Sequence, residues 1–455
     1  MITKLKENKN SKMEIGEELL GRSYEINQGT HKASILVGID CGSTQTRCVI
    51  LKPDDDVEQL DNLYVIPSQF SGISTFGEVL PQNDKLYGNM DSWITCLSSE
   101  PDGLFDKIRV MRGTKRADAN ASREGINSSK QKIHTPALYI NAIDGIAYGL
   151  IMKGGELAAE YDVYMGTSLP PDNVSSKPNR ELFLRRMKRT FEFENKDLGV
   201  RFRLNVKDVF LQTESEAELR GYKVKCSDDS DENDSEDKVA LIIEVGGSTV
   251  GTAIIDENGI SVKSAARTFS YGGTQLQDML GTILEDEIGT ITVKQRKTAL
   301  ETGLVKQSGR GITEVTKLVK EAKNQFASRI YSDIYSEVFD QLGNSDLDMV
   351  DISEVYFSGR TCDAGDYDEE THRGYSIVEP LTSMIKKDLP DATFIHMQEN
   401  LIPFGNAIKA YGEFEDAFLA EEVQELTDSI NNLEVAIEGV VDGMATESVS
   451  EVKEE

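Results

Sequence analysis

The stretch GIDCGSTQTRCVI at residues 38–50 is an apolar strand, a turn of small hydroxyl residues around a glycine, and a second apolar strand. A near-copy, IIEVGGSTVGTAII, stands at 242–255. Aligned on their turns, Ile39-Asp40-x-Gly42-Ser43-Thr44 lies beside Ile243-Glu244-x-Gly246-Gly247-Ser248-Thr249. Glycines in a tight hairpin let backbone N–H groups converge on an anion, because no Cβ obstructs the approach, and serine and threonine hydroxyls add donors. A carboxylate beside such a nest repels a bare phosphate, yet it makes sense with a hydrated Mg²⁺ between them. Two such hairpins facing one another would grip a nucleoside triphosphate from both sides. Neither the G-x-x-x-x-G-K-[ST] pattern nor a G-x-G-x-x-G opening a helix occurs in the chain.

The rest of the sequence is consistent with a large, water-soluble molecule. At 455 residues the chain exceeds the size at which one core stops growing, so two or more domains are expected. Its mean hydropathy is −0.38, and no apolar run approaches the ~20 residues that span a bilayer. Five cysteines without C-x-x-C spacing and only four histidines argue against structural zinc and a disulfide framework, and point to a reducing cytoplasm. A net charge of −30 disfavours direct nucleic-acid binding, so any contact with DNA is expected through a partner.

Along the chain, residues 1–32 read as a flexible extension, and 57–135 as a smaller, glycine-punctuated subdomain. Residues 135–154 have helical spacing, "YDVYMGTSLP" reads as a buried strand, 179–193 as a basic helix, and 200–211 alternates like a strand. Seven acids crowd 226–238, an acidic loop that marks a boundary before the second hairpin. Helical text dominates 274–340, and "EVYFSG" reads as a strand. Residues 177–207 hold ten basic residues, suited to a solvated face or to an acidic partner surface. Leu419, Val423, Leu426, Ile430, Leu433, Ile437, Val440 and Met444 form a 4-3 seam in an acidic tail, fit for packing on the chain's own domain or on a partner.

With these motifs in order, the sequence resembles the actin-like ATPases, which share their fold with DnaK-type chaperones and sugar kinases, and within them the bacterial plasmid-segregating, ParM-like group. IDCGSTQTR (39–47) is similar to the family's first phosphate loop, with Arg47 where a lysine is common, and LIIEVGGSTVGTAII (241–255) to its second. KDVFLQTESEAELRGY (207–222) resembles the strand and helix in which a glutamate orients the attacking water, here Glu214. VYFSGRT (355–361) falls at the adenosine-binding turn, and ENLIPFGNAIKAY (399–411) resembles the returning helix.

The resemblance implies an α/β, actin-like fold: two similar α/β domains around a nucleotide cleft, with smaller inserted subdomains. Domain I would span 33–213, completed by 400–415, and domain II 214–399 with a smaller subdomain at about 275–345; 416–455 would be an acidic helix and tail. It implies ATP (or GTP) and Mg²⁺ as cofactors. Asp40, Gly42, Ser43, Thr44, Thr46, Arg47, Gly246, Gly247, Ser248, Thr249, Gly272, Gly273, Thr274, Ser358, Gly359, Arg360 and Thr361 would hold the nucleotide. Asp40 and Glu244 would hold the metal through water. Three departures stand out: Glu244 replaces the family's usual aspartate, Ser358-Gly359-Arg360-Thr361 replaces a run of glycines, and the extra segments 1–32, 226–238 and 416–455 lie outside the family core. The function implied is a cytoplasmic ATPase that polymerises with itself on binding nucleotide, disassembles on hydrolysis, and moves or segregates plasmid DNA through a DNA-binding adaptor. The alternatives are a small-molecule kinase of the same fold and a weakly hydrolysing nucleotide-binding scaffold; a DnaK-type chaperone would need a substrate domain longer than the roughly fifty residues after the returning helix.

Overall fold

The computed structural model describes residues 13–14, 27–42, 45–57, 60, 62–68, 70–74, 90–97, 105–112, 132–196, 198–226, 238–307, 309, 311–343, 345–359, 361–362, 376–397, 401–417 and 419. Two compact units divide the chain, Met1–Ala410 and Tyr411–Glu455. Most of the first 32 residues, most of the acidic loop, and the seam beyond Leu419 lie outside the described residues.

The first unit holds two principal sheets, each built around one of the two hairpins. In the first, Lys32–Cys41 pairs antiparallel with Gln45–Leu51 and parallel with Glu160–Leu169, which in turn runs parallel to Val200–Thr213. Lys32–Cys41 is buried from Ile35 to Cys41 without alternation, as a central strand covered on both faces must be. The helix Pro136–Lys153 starts with proline at its first turn, ends at Gly154 with φ 75°, and buries nearly its whole length against this sheet. On the sheet's other face helical residues 402–410 come so close that a Cβ on Gly166 would lie 1.8 Å from the Asn406 carbonyl oxygen. Only glycine permits that approach. Asn406 fixes the contact by donating to the Ile39 carbonyl (2.9 Å) and to Ser168 Oγ (3.1 Å).

The 57–135 stretch contributes to the same sheet. Tyr64–Pro67 adds beside Gln45–Leu51, while Asp91–Cys96, Lys107–Met111 and Ser71–Ser74 extend the opposite end beyond Thr190–Asn195. The basic helix is shorter than its sequence suggests, Lys177–Met187, because Phe191 and Phe193 alternate with Glu192 and Glu194 and take strand pairing instead. Some of the positive charge in 177–207 is used locally: Lys188, at the C-terminal cap of this helix, pairs with Asp208, and Arg201 and Lys207 of the strand Val200–Thr213 pair with Glu192 and Asp162.

The second sheet runs Arg267–Phe269, Val250–Ile255, Val239–Val245, Ile352–Ser358 and Thr393–His396. Like the first, it sets an antiparallel hairpin beside a parallel strand, with Glu244 opposite Ser358. The helices Gly273–Ile288, Val293–Thr302 and Thr316–Ile334 pack into its own apolar core, and a small hairpin, Leu304–Gln307 with Gly311–Glu314, interrupts the helical text. Leu219 of the helix Glu214–Cys226 joins Ile242, Tyr356, Met397 and Leu401 in a further cluster, so this helix contacts the second sheet as well. In the second unit, residues 411–417 are helical.

Candidate functional site

In the first hairpin Gly42 N–H donates to the Gln45 carbonyl (3.0 Å) and closes the turn. Asp40, buried at the end of its strand, stands opposite Arg47, whose guanidinium donates to Asp40 Oδ2 at 3.3 Å. The Arg47 Nε is buried with no partner among the described residues. Thr46 faces away: its hydroxyl is buried against Ser68 Oγ at 2.8 Å. Ser43 and Thr44 lie outside the described residues. Burial pushes the neighbouring Cys41 thiol up to about 12, so it stays protonated and unreactive.

The second hairpin is closed in the same way, by Gly246 N–H on the Thr249 carbonyl (2.9 Å). Two other turns converge on it. Gly273 N–H donates to the Gly246 carbonyl, Thr274 gives both its N–H and its hydroxyl to the Gly247 carbonyl, and Thr361 gives its N–H to Val245 and its hydroxyl to Gly246. Gly272 fits against this turn so tightly that a Cβ there would lie 2.7 Å from Thr249 N and 2.9 Å from Ser248 N. The exposed Gly247 and Ser248 are the part left open to solvent, next to the N-terminus of the Gly273–Ile288 helix. The structure thus brings 246–249, 272–274, 358–359 and 361 together; Arg360 lies outside the described residues.

The three acids at the start of the Glu214–Cys226 helix have three different partners. Thr213 and Glu216 form a reciprocal capping box, Glu216 N–H on Thr213 Oγ1 and Thr213 N–H on Glu216 Oε2, and Glu216 also accepts from Ser261 N–H. Glu214 accepts from Lys132 Nζ at 3.1 Å. Glu218 is buried and accepts from Ser358 Oγ at 2.5 Å. Lys132 stands in no motif, and within the 207–222 stretch nothing distinguishes Glu218 from its neighbours; folding brings both into electrostatic reach of the hairpin acids.

Asp40, Glu214, Glu218 and Glu244 feel one another's charge. Burial, then Glu214, Glu218 and Asp40, push the half-buried Glu244 well above the ordinary carboxylate range, against Lys132. Burial works against the Lys132 charge, but Glu214 and Asp40 outweigh it and hold that lysine firmly protonated. An acid-rich cleft of this kind gains from an added cation, which relieves the repulsion between the two hairpin carboxylates. Among the described residues no three His, Cys, Asp or Glu side chains stand together as a metal cage. Asp40 and Glu244 supply carboxylate oxygens, the donor type that Mg²⁺ takes directly or through water, so the donor set fits that ion.

No protein-family model matches the chain, and no curated protein matches it. Solved structures do. The archaeal actin homolog Ta0583 superposes with TM-score 0.53 at 12% identity, covering 84% of this chain and 99% of that one. The psk41 ParM protein in its apo form gives 0.52 at 12%, covering 86% and 99%. The Alp12 filament subunit gives 0.51 at 15%, covering 85% and 100%. Paired sheets, each opening with an acid-glycine-hydroxyl hairpin, and a likeness spanning nearly all of each of these proteins lead to one conclusion: the chain has the actin-like fold of the ParM type.

Proposed function

We propose that the chain is a nucleotide-dependent, filament-forming actin-like ATPase that moves or segregates plasmid DNA through a DNA-binding adaptor. The observation that carries the reading is geometric: two acid-glycine hairpins, one at the heart of each sheet, with Glu214 held by Lys132 at 3.1 Å. The ParM protein and the Alp12 filament among its structural neighbours support the polymer part of it. The net charge of −30 supports the adaptor, because a polyanion needs an intermediary to hold DNA.

In this reading the amides around the Gly42 turn and those of Gly247–Thr249 hold the β- and γ-phosphates, and Arg47 offsets their charge. Gly272–Thr274 and Thr361 brace the second hairpin and stand beside the nucleotide. Asp40 and Glu244 would hold Mg²⁺ through water; when bound, that ion supplies charge neutralisation of the transferred phosphoryl group. Glu214 orients the attacking water, and Lys132 leaves Glu214 for the terminal phosphate as it arrives. Phosphoryl transfer depends on such positioning and electrostatics rather than on covalent chemistry.

Glu244 supports a second reading, a slowly hydrolysing nucleotide-binding scaffold. Its surroundings favour the neutral acid, which holds a cation less firmly. Light scattering and phosphate release after adding Mg-ATP, across a protein dilution series with negative-stain images, separate the two. Scattering above a critical concentration followed by phosphate release supports the polymerising ATPase. Nucleotide binding without scattering at any concentration removes it and leaves the scaffold.

A further inference from the structure

The Glu214–Cys226 helix carries a second carboxylate that the mechanism above does not use. Glu218 is 3% exposed, and the Ser358 hydroxyl that donates to it is fully buried. It lies one helical turn after Glu214, on the same face of the helix. Ser358 is the last residue of the strand that pairs with Glu244. The chain then turns at Gly359, with φ 88°, so close to the second hairpin that a Cβ would meet the Val245 carbonyl oxygen at 2.7 Å. Two residues later Thr361 holds that hairpin by its hydroxyl and its N–H. A buried hydrogen bond therefore connects the helix that carries Glu214 to the turn that supports the second hairpin.

We propose that Glu218 is a positioning residue: through Ser358 it fastens the Glu214 helix to the turn at Gly359, so that a nucleotide seated against that turn sets the placement of Glu214. The inference rests on the nucleotide reading above and extends it to how occupancy and hydrolysis are coupled. An ionised carboxylate is poorly suited to this place. It is faced by Asp40 and Arg47 of the first hairpin, Glu214 on its own helix and Glu244 of the second hairpin. Burial first, then Asp40 and Glu214, raise its pKa to about 8, against Ser358 and Arg47. The neutral acid keeps the bond to Ser358 without adding a charge to the cleft, and a glutamine does the same.

The test compares the full-length wild type with Glu218→Leu, Ser358→Ala and Glu218→Gln, by hydrogen exchange with and without a non-hydrolysable Mg-ATP analogue and by steady-state phosphate release. In the wild type the analogue slows exchange in both hairpins and at 214–220. In Glu218→Leu and Ser358→Ala the hairpins stay protected and the helix loses its protection; in Glu218→Leu kcat falls about tenfold with KM within about threefold. Glu218→Gln keeps an acceptor for Ser358 and restores both readouts. Helix protection that survives Ser358→Ala, or a Glu218→Gln variant as impaired as Glu218→Leu, overturns the positioning role alone. An analogue that protects neither hairpin of the wild type overturns the nucleotide reading and this inference with it.

Discussion

Lys132 Nζ lies 3.1 Å from Glu214 Oε1, although the two residues are 82 positions apart in the chain. Both are largely shielded from water, with side chains 8% and 18% exposed. Removing the lysine leaves Glu214 facing Asp40, Glu218 and Glu244 without its cation. Lys132→Met is therefore expected to destabilise the fold by up to about 3 kcal/mol, read as a lower urea midpoint. An unchanged midpoint contradicts the pairing.

Glu214→Gln separates binding from turnover. Removing a group that orients the nucleophile is expected to lower the phosphate-release rate by about a hundredfold or more while nucleotide binding persists. Binding by a fluorescent nucleotide and turnover measured on the same preparation check it. Equal loss of both contradicts the assignment.

Gly272→Ala places a Cβ 2.6 Å from the Gly246 carbonyl and 2.7 Å from Thr249 N. Backbone on both sides has no room to yield, so the second hairpin must shift. Overpacking of this kind costs about 1–3 kcal/mol, and nucleotide affinity is expected to fall with it. Calorimetric titration on wild type and variant shows whether affinity drops; an unaltered affinity removes the 272–274 turn from the site.

The Glu218 carboxyl gives stability a pH dependence of defined sign. With its folded pKa raised to about 8, the folded chain retains a proton that the unfolded chain releases in the ordinary carboxylate range. Its contribution therefore falls as pH rises toward about 8 and levels off above that. Urea midpoints at several pH values between 5.5 and 9 for wild type and Glu218→Gln read this directly. The variant's curve is expected to be flatter through that window, and parallel curves contradict a buried, titrating Glu218.

Arg112 and Asp144 are both fully buried, joined at 2.8 Å, with Ser92 on the second Asp144 oxygen. Arg112→Leu leaves an uncompensated carboxylate in the first core and is expected to cost about 3–5 kcal/mol. Thermal melting checks it, and the double replacement Arg112→Leu with Asp144→Leu is expected to recover part of the loss.

Local pattern made much of this molecule readable. The apolar strands around 38–50 and 242–255 and the helix at Pro136–Lys153 declare themselves within a few residues, because strand and helix periodicity are properties of neighbouring positions. The same logic misjudged 190–195, where basic neighbours masked a two-residue alternation, and could not see that strands within 57–135 extend the first sheet. Edge pairing depends on which strands are left open elsewhere. At the candidate site the motifs single out Asp40, Glu214 and Glu244, which folding brings within reach of one another's charge, and Thr46, whose hydroxyl turns to Ser68 instead. Nor could spacing say which of Glu214, Glu216 and Glu218 faces which partner. One meets Lys132, one caps its own helix and holds Ser261, and one is buried on Ser358. Sequence by itself determined the hairpins, their acids and the fold class, since these rest on short-range periodicity and backbone chemistry. Tertiary structure alone decided the pairing of charges, because the field at a buried carboxylate is set by groups that only folding brings within a few ångströms.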